Sequence, residues 1–209
     1  MDKNKNAVAV FDKLATLYQS RFMDVSLYAE TLDFFCDLAG KDASILELAC
    51  GPGNITKYLL DRNPQLKILG TDLAPNMLAL AKNNNPKGVF EVLDCRDIVL
   101  LEQQFDAIMC GFCLPYLSKI ETTKLIADAT QILNQNGLLY LSTMEDDYEK
   151  SGFKKGSTGD AVFQHFYTLD FLVSILEINH FEIIKAKRFF STSENATATD
   201  LVVIAKLRS

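Results

Sequence analysis

No basic stripe runs through this chain of 209 residues; its 21 Lys and Arg are scattered, and its 27 Asp and Glu leave a net charge of -6. Affinity for a nucleic-acid backbone rests on such a stripe, so DNA and RNA are poor candidate partners. A metal-ligand cluster is missing too. The two histidines, His165 and His180, stand far apart in sequence, and the five cysteines are odd in number and sit mostly in apolar runs. Cys110 to Cys113 spell C-x-x-C, but at the end of a predicted strand, without the strand–helix setting of a redox motif. Buried small hydrophobes are the plainer reading. No apolar run has membrane-spanning length, and the N-terminal MDKNKNAVAVFDK lacks a signal-length apolar core. Neither repeats nor low-complexity linkers occur. What is there is 48% hydrophobic content. That suits one globular domain over 1–209 with a real core, expected to be soluble and cytoplasmic.

Along the chain, Val8, Phe11, Ala15, Tyr18 and Phe22 recur at helical spacing. A second helix carries Tyr28, Leu32, Phe35 and Ala39 on one face and stops at Gly40. From there strands and helices alternate. SILELA, LKILGTD, GVFEVLD, FDAIMCGF and GLLYLST read as strands. Between them lie a helix ended by Pro64, one opened by Pro75, a helical turn near Ile98, and a helix to about Leu133 opened by the Ser118–Glu121 capping box. A polar stretch from Met144 to Gln164 is too long for an ordinary connection and reads as a functional or mobile loop. The helix LDFLVSILEIN follows, then FEIIKAKRFF and DLVVIAKL as an antiparallel pair about the polar turn STSENATAT.

Strands that are apolar throughout, alternating with helices, predict a doubly wound α/β sheet, mostly parallel and covered on both faces. Such sheets bind ligands beyond the carboxyl ends of their strands, beside strand one. ILELACGPGNIT, Ile45 to Thr56, falls at that place. Gly51 and Gly53 allow a tight turn and bring backbone amides close to a ligand, with the positive end of the next helix behind them. An ordinary strand–helix turn is the competing reading. Three details sharpen the choice. Thr56 occupies the third glycine place of the nicotinamide fingerprint. Glu47, inside the strand end, would repel a pyrophosphate and favour an ammonium or sulfonium ligand. Asp72 ends the next strand, placed to accept both hydroxyls of a ribose.

With these residues the sequence resembles the class I S-adenosylmethionine-dependent methyltransferases. LELACGPGN is similar to the family's first motif, GTDLAPNML to its ribose motif, VLDCRDI to its adenine motif, and FDAIMCGFCLPYL to the segment beside the methionine end. Order and spacing hold from about Ile45 to Leu141, with Ala49 and Asn54 standing where the family has its first and third glycines. The resemblance implies a Rossmann-like, seven-stranded sheet with an antiparallel last strand. It divides the chain into two N-terminal lid helices (1–40), a cofactor core (44–143), an acceptor-side loop and helix (144–180) and an antiparallel pair (181–207). It implies S-adenosyl-L-methionine as cofactor. Glu47, Ala49, Gly51 and Gly53 would line its methionine part. Asp72 would take the ribose, Leu73 and Met77 the adenine or ribose, and Asp94 the adenine amino group. The Cys95 amide would meet a ring nitrogen, the Cys110 backbone the ammonium, and Tyr18 would close over the carboxylate end. Core packing competes for Met77 and Tyr18, and a cap or turn carboxylate for Asp72 and Asp94.

A sulfonium is already an activated electrophile, so placement in a dry site suffices and strong acid–base apparatus is optional. Tyr116 in CLPY and Tyr167 in FQHFYT are candidate acceptor contacts, and His165 a candidate proton acceptor. Burial competes for Tyr116, and a surface or cap-adjacent place for His165. Lys154 and Lys155 could attract a carboxylate, though a solvated pair is the plainer reading. A small-molecule acceptor is expected, with no nucleic acid or membrane partner. A nicotinamide oxidoreductase, disfavoured by Thr56 and Glu47, and a non-catalytic cofactor-binding protein are the alternatives.

Overall fold

Strand alternation decides which side chains each face of the sheet must cover. The computed structural model of the chain describes residues 3–193 and 196–208. Five parallel strands form its centre: β1 (Ser44–Leu48), β2 (Lys67–Asp72), β3 (Val89–Val92), β4 (Phe105–Cys110) and β5 (Leu133–Met144). The order is β3-β2-β1-β4-β5-β9-β8, where β8 is Phe181–Ser193 and β9 is Ala196–Leu207. The last strand, β9, runs antiparallel to both β5 and β8. The order reverses between β1 and β4, and this opens a crevice at their carboxyl ends.

Leu46, Leu48, Ile108 and Leu139 point to one face, under α6 (Lys119–Ile132) and α7 (Leu169–Ile178). Ile45, Ala107, Met109 and Leu138 point to the other, under α3 (Ala29–Ala39) and α4 (Asn54–Arg62). Each large side chain fully buried this way contributes about 1.5–3 kcal/mol. The helices begin where the sequence marks them. Pro75 opens α5 (Pro75–Asn84), and Ser118 caps α6 reciprocally with Glu121.

Two regions differ from the sequence reading. The first N-terminal helix breaks at Leu14 (φ -102°, ψ 14°) into α1 (Lys3–Lys13) and α2 (Ala15–Phe22). The stretch from Met144 to Gln164 is not an irregular loop: it ends β5 and holds a short turn, Tyr148–Lys150, and a hairpin, β6 (Gly152–Lys155) with β7 (Ala161–Gln164). That hairpin packs on α1. Lys13 pairs with Asp160 at 2.9 Å, Arg21 donates to Ser157 at 2.8 Å, and the Lys3 ammonium lies 3.5 Å over the Phe163 ring. Most of the polar turn STSENATAT continues the β8–β9 ribbon; Glu194 and Asn195 at its tip lie outside the described residues.

Candidate functional site

The crevice is floored by the turn after β1, where three residues take left-handed backbone angles: Ala49 (φ 51°), Gly51 (φ 54°) and Gly53 (φ 74°). The two glycines serve different ends. A Cβ on Gly51 would meet only the Tyr18 ring edge at 3.9 Å, so this backbone faces open space. A Cβ on Gly53 would stand 2.4 Å from Asn85 Nδ2, so here the missing side chain lets α5 pack against the start of α4. Asn54 fixes the lid to the turn by donating to the Phe22 carbonyl at 2.8 Å.

Asp72 ends β2 beside this turn. One carboxylate oxygen accepts from the Gly51 N–H at 2.9 Å and the other from the Ala74 N–H at 2.8 Å. Burial raises the Asp72 pKa above the usual carboxylate value, against the pull of the N–H groups of Ala74, Gly51 and Leu73. Glu47 lies one layer deeper, 1% exposed, turned by strand alternation toward α4, where the Thr56 hydroxyl donates to it. Burial pushes Glu47 up to about 8; the Thr56 hydrogen bonds oppose this, and the charge on Asp72 adds to it.

A cavity rises from the turn toward the lid, and the structure brings Tyr18, Ala49, Gly51, Asp72, Leu73 and Met77 together on its wall. Cys95 and Tyr116 join them further along. The Tyr18 hydroxyl is pushed up to about 12 by burial and then by Asp72. Met77 is at once cavity wall and core, packed with Ala15 and Ala74.

Asp94 is held otherwise than expected. It is absent from the wall, and Arg96 clasps its carboxylate at 2.9, 3.0 and 2.5 Å while also reaching Glu121 at 3.0 Å. Burial opposes the charge on Asp94, but the bonds from Arg96 outweigh it and keep the carboxyl below its ordinary value. Cys110 is buried in the core beneath the wall. The three other cavity-side expectations separate. Tyr116 reaches the cavity, whereas His165 and Tyr167 are not on its wall. The His165 N–H donates to the Pro115 carbonyl at 2.7 Å, and its ring stacks on Tyr148 with centroids 5.5 Å apart. Burial, followed by Lys3, lowers the His165 pKa below the ordinary histidine value. The Tyr167 hydroxyl donates to the Leu117 carbonyl and sits 3.1 Å from Thr122 Oγ1, within the core.

The sequence reading passed over Phe11 and Phe112 as site residues, and both line the cavity. Phe11 was legible only as one position of an apolar helix face. Phe112, inside CGFC, takes a left-handed backbone (φ 53°) with its N–H donating to Ser142 Oγ at 2.9 Å. Such a backbone costs about 1–2 kcal/mol for a residue other than glycine. Phe112 is therefore held in place rather than merely tolerated.

A bare turn, two acids behind it and a helix start together suit a ligand with a cationic end and vicinal hydroxyls. Among the described residues, no group of three or more His, Cys, Asp or Glu is arranged for a metal ion, and no helix is long and apolar enough to cross a membrane. Residues 45–137 match the family model described as a methyltransferase domain. With this sheet order and this turn, the match makes these residues similar to methyltransferase domains of the Rossmann-like fold. Demethylmenaquinone methyltransferase of Thermotoga maritima is 25% identical over 143 residues, which cover 66% of this chain and 61% of that protein. Trans-aconitate 2-methyltransferase of Variovorax paradoxus is 33% identical over 108 residues, 52% of this chain and 40% of that protein. The chain thus spans less than two thirds of either relative's length. Among solved structures, the Burkholderia thailandensis 1,6-didemethyltoxoflavin-N1-methyltransferase, with bound 1,6-didemethyltoxoflavin and S-adenosylhomocysteine, shares the fold. Its TM-score is 0.73 at 18% identity, over 98% of this chain and 88% of that one.

Proposed function

We propose that this chain, as a single domain over 1–209, transfers a methyl group from S-adenosylmethionine to a small-molecule acceptor. The observation that carries the reading is Asp72: a carboxylate oriented by the Gly51 and Ala74 N–H groups, in one cavity with the bare Gly51 backbone and an aromatic wall. Asp72 accepts the ribose hydroxyls, and Leu73 and Met77 bracket the adenine with the Cys95 amide beside them. Ala49 and Gly51 leave room for the methionine part, Gly53 sets the turn, and Tyr18 covers it. Glu47 and the Cys110 backbone supply negative potential toward the ammonium from below.

When bound, the cofactor supplies an electrophilic methyl. The chain's own task is placement. Holding a nucleophile in line replaces an encounter in water with an oriented pair, an effect that reaches about 7–11 kcal/mol in model systems. Phe11 and Tyr18 exclude water from above, and Tyr116 bounds the acceptor side. The small-molecule acceptor draws support from the names of the two relatives and from an acceptor wall built only from α1 and the residues around Phe112 and Tyr116. The five cysteines are all free and buried, which accords with a reducing cytoplasm.

A nicotinamide cofactor fits less well. Thr56 is buried and bonded to Glu47, where that fingerprint needs its third glycine. Calorimetry with S-adenosylhomocysteine and with NADH tests the reading. Micromolar binding of the first alone is expected; binding of NADH alone would overturn it. Formation of S-adenosylhomocysteine on addition of an acceptor separates an enzyme from a silent cofactor binder.

A further inference from the structure

Beyond the cofactor contacts, the cavity wall is aromatic. Phe11 meets Tyr116 edge to face with centroids 5.0 Å apart, and it meets Tyr18 in the same manner at 5.8 Å. Phe112, on the facing side, is braced by Tyr28 at 5.4 Å and fixed by its bond to Ser142. Tyr28 is itself anchored, its hydroxyl donating to Asp200 at 2.7 Å. Val8, Ala7 and Cys113 fill the gaps. Tyr116 and Asn4 bring a hydroxyl and an amide to this wall, in the same cavity as the Tyr18 hydroxyl and the Asp72 carboxylate.

Charge narrows the choice. No Lys, Arg or His is on the wall among the described residues, and Asp72 is its one carboxylate. The nearby cations are spent elsewhere: Lys13 on Asp160, Lys3 over Phe163, Lys119 over Tyr148. An anionic acceptor would enter a field set by Asp72, with Asp12 adding to it. Desolvating a carboxylate there without a partner is costly. A flat neutral ring meets the opposite situation: offset or edge-on aromatic contacts on several sides and a hydrogen-bond group at its rim.

Resting on the methyltransferase reading, we infer that the acceptor is a flat, uncharged aromatic or heteroaromatic nucleophile, a phenolic hydroxyl or ring nitrogen, held by Phe112, Phe11 and Tyr116. The new O–CH3 or N–CH3 bond forms as the S–CH3 bond breaks. The electron pair of that bond stays on sulfur, and the acceptor's proton passes to water. Phe112 is then a specificity residue, which explains why the chain holds a left-handed phenylalanine at the crevice.

The test begins with S-adenosylhomocysteine calorimetry on the full chain. No binding there sinks the methyltransferase reading itself, whatever the acceptor. With that ligand bound, thermal shifts are measured for catechol, 1,4-dihydroxynaphthalene and thymine against trans-aconitate and malonate. The same panel is assayed with S-adenosylmethionine for turnover. Stabilisation and turnover by ring compounds, and neither by carboxylates, is the expected result. Phe112→Ala and the bulkier Phe112→Leu should both raise the ring acceptor's KM, about threefold to tenfold by the worth of an aromatic contact. Their affinity for S-adenosylhomocysteine should stay within about twofold, which also shows that they fold. A preference for the carboxylates overturns the inference while leaving the methyltransferase reading intact. So does a response to neither class, or a KM unmoved by both variants.

Discussion

Glu47→Gln isolates the most strongly perturbed carboxyl at the site. The wild-type side chain is 1% exposed and its pKa is raised from 4.5 to about 8. A raised carboxyl holds, in the folded chain, a proton that the unfolded chain has already released. Its contribution is thus fully present below pH 4.5 and is lost as the pH rises toward 8. At about 1.4 kcal/mol per pKa unit, the loss between pH 4.5 and pH 7 is about 3 kcal/mol. Glutamine mimics the protonated acid. It keeps an oxygen for the Thr56 hydroxyl and has no charge to lose on folding. The variant should therefore be the more stable protein at neutral pH, by roughly 6–12 °C in Tm for a chain of this size. At pH 5 the gap should shrink below about 1 kcal/mol. Scanning calorimetry of both proteins from pH 5 to pH 8 is the assay. A gap that does not change with pH, or a variant less stable throughout, would refute the argument that Glu47 is neutral in the ligand-free fold. The same variant should bind S-adenosylhomocysteine more weakly, trading function for stability.

On the proposed reading Asp72→Ala removes the acceptor for two ribose hydroxyls, and hydrogen bonds to a charged group contribute roughly 1.5–3 kcal/mol, so calorimetry should show affinity for S-adenosylhomocysteine falling about tenfold to a hundredfold. Gly53→Ala puts a Cβ 2.4 Å from Asn85 Nδ2 on a backbone with φ 74°; urea unfolding should register a loss of more than about 1 kcal/mol. Phe35→Ala empties a fully buried site against Tyr140. It should cost about 3–5 kcal/mol of unfolding free energy, and an unchanged midpoint would mean that α3 does not pack as described.

The sheet was legible because its signals are local. A strand covered on both faces reads as an unbroken apolar run, and Pro75, Ser118 and Glu121 mark helix starts within a single turn. The cofactor turn was legible for the same reason: Glu47, Gly51, Gly53 and Asp72 keep the spacing of one β–turn–α–β unit. What escaped depends on distant partners. β6 and β7 are four residues each and only partly buried, so neither alternation nor composition announces them. Their partner is α1, more than a hundred residues earlier, reached through Lys13 and Asp160. Asp94 has the spacing of an adenine contact, but Arg96 two residues on and Glu121 at the head of α6 decide where its carboxylate lies. Phe112 escaped because CGFC draws attention to sulfur, while the bond that turns its backbone comes from Ser142 on the neighbouring strand.

These distant contacts share one electrostatic logic. Asp72 raises the pKa of Glu47 and of Tyr18, both acids raise that of Cys50, and Asp12 from the lid raises that of Asp72. Each group makes it harder for the next to hold negative charge, and Glu47 answers by keeping its proton at neutral pH in the ligand-free crevice, which leaves the negative potential of Asp72. The N–H groups of Gly51 and Ala74 relieve it only in part. A ligand bringing positive charge relieves all of these groups at once, since every one of them is coupled to Asp72 or Glu47. On the proposed reading, the field that draws a cationic cofactor also repels an anionic acceptor from the adjoining aromatic wall. On that reading the selection of both ligands follows from Glu47 and Asp72 on adjacent strands, and neither requires a charged residue on the acceptor side.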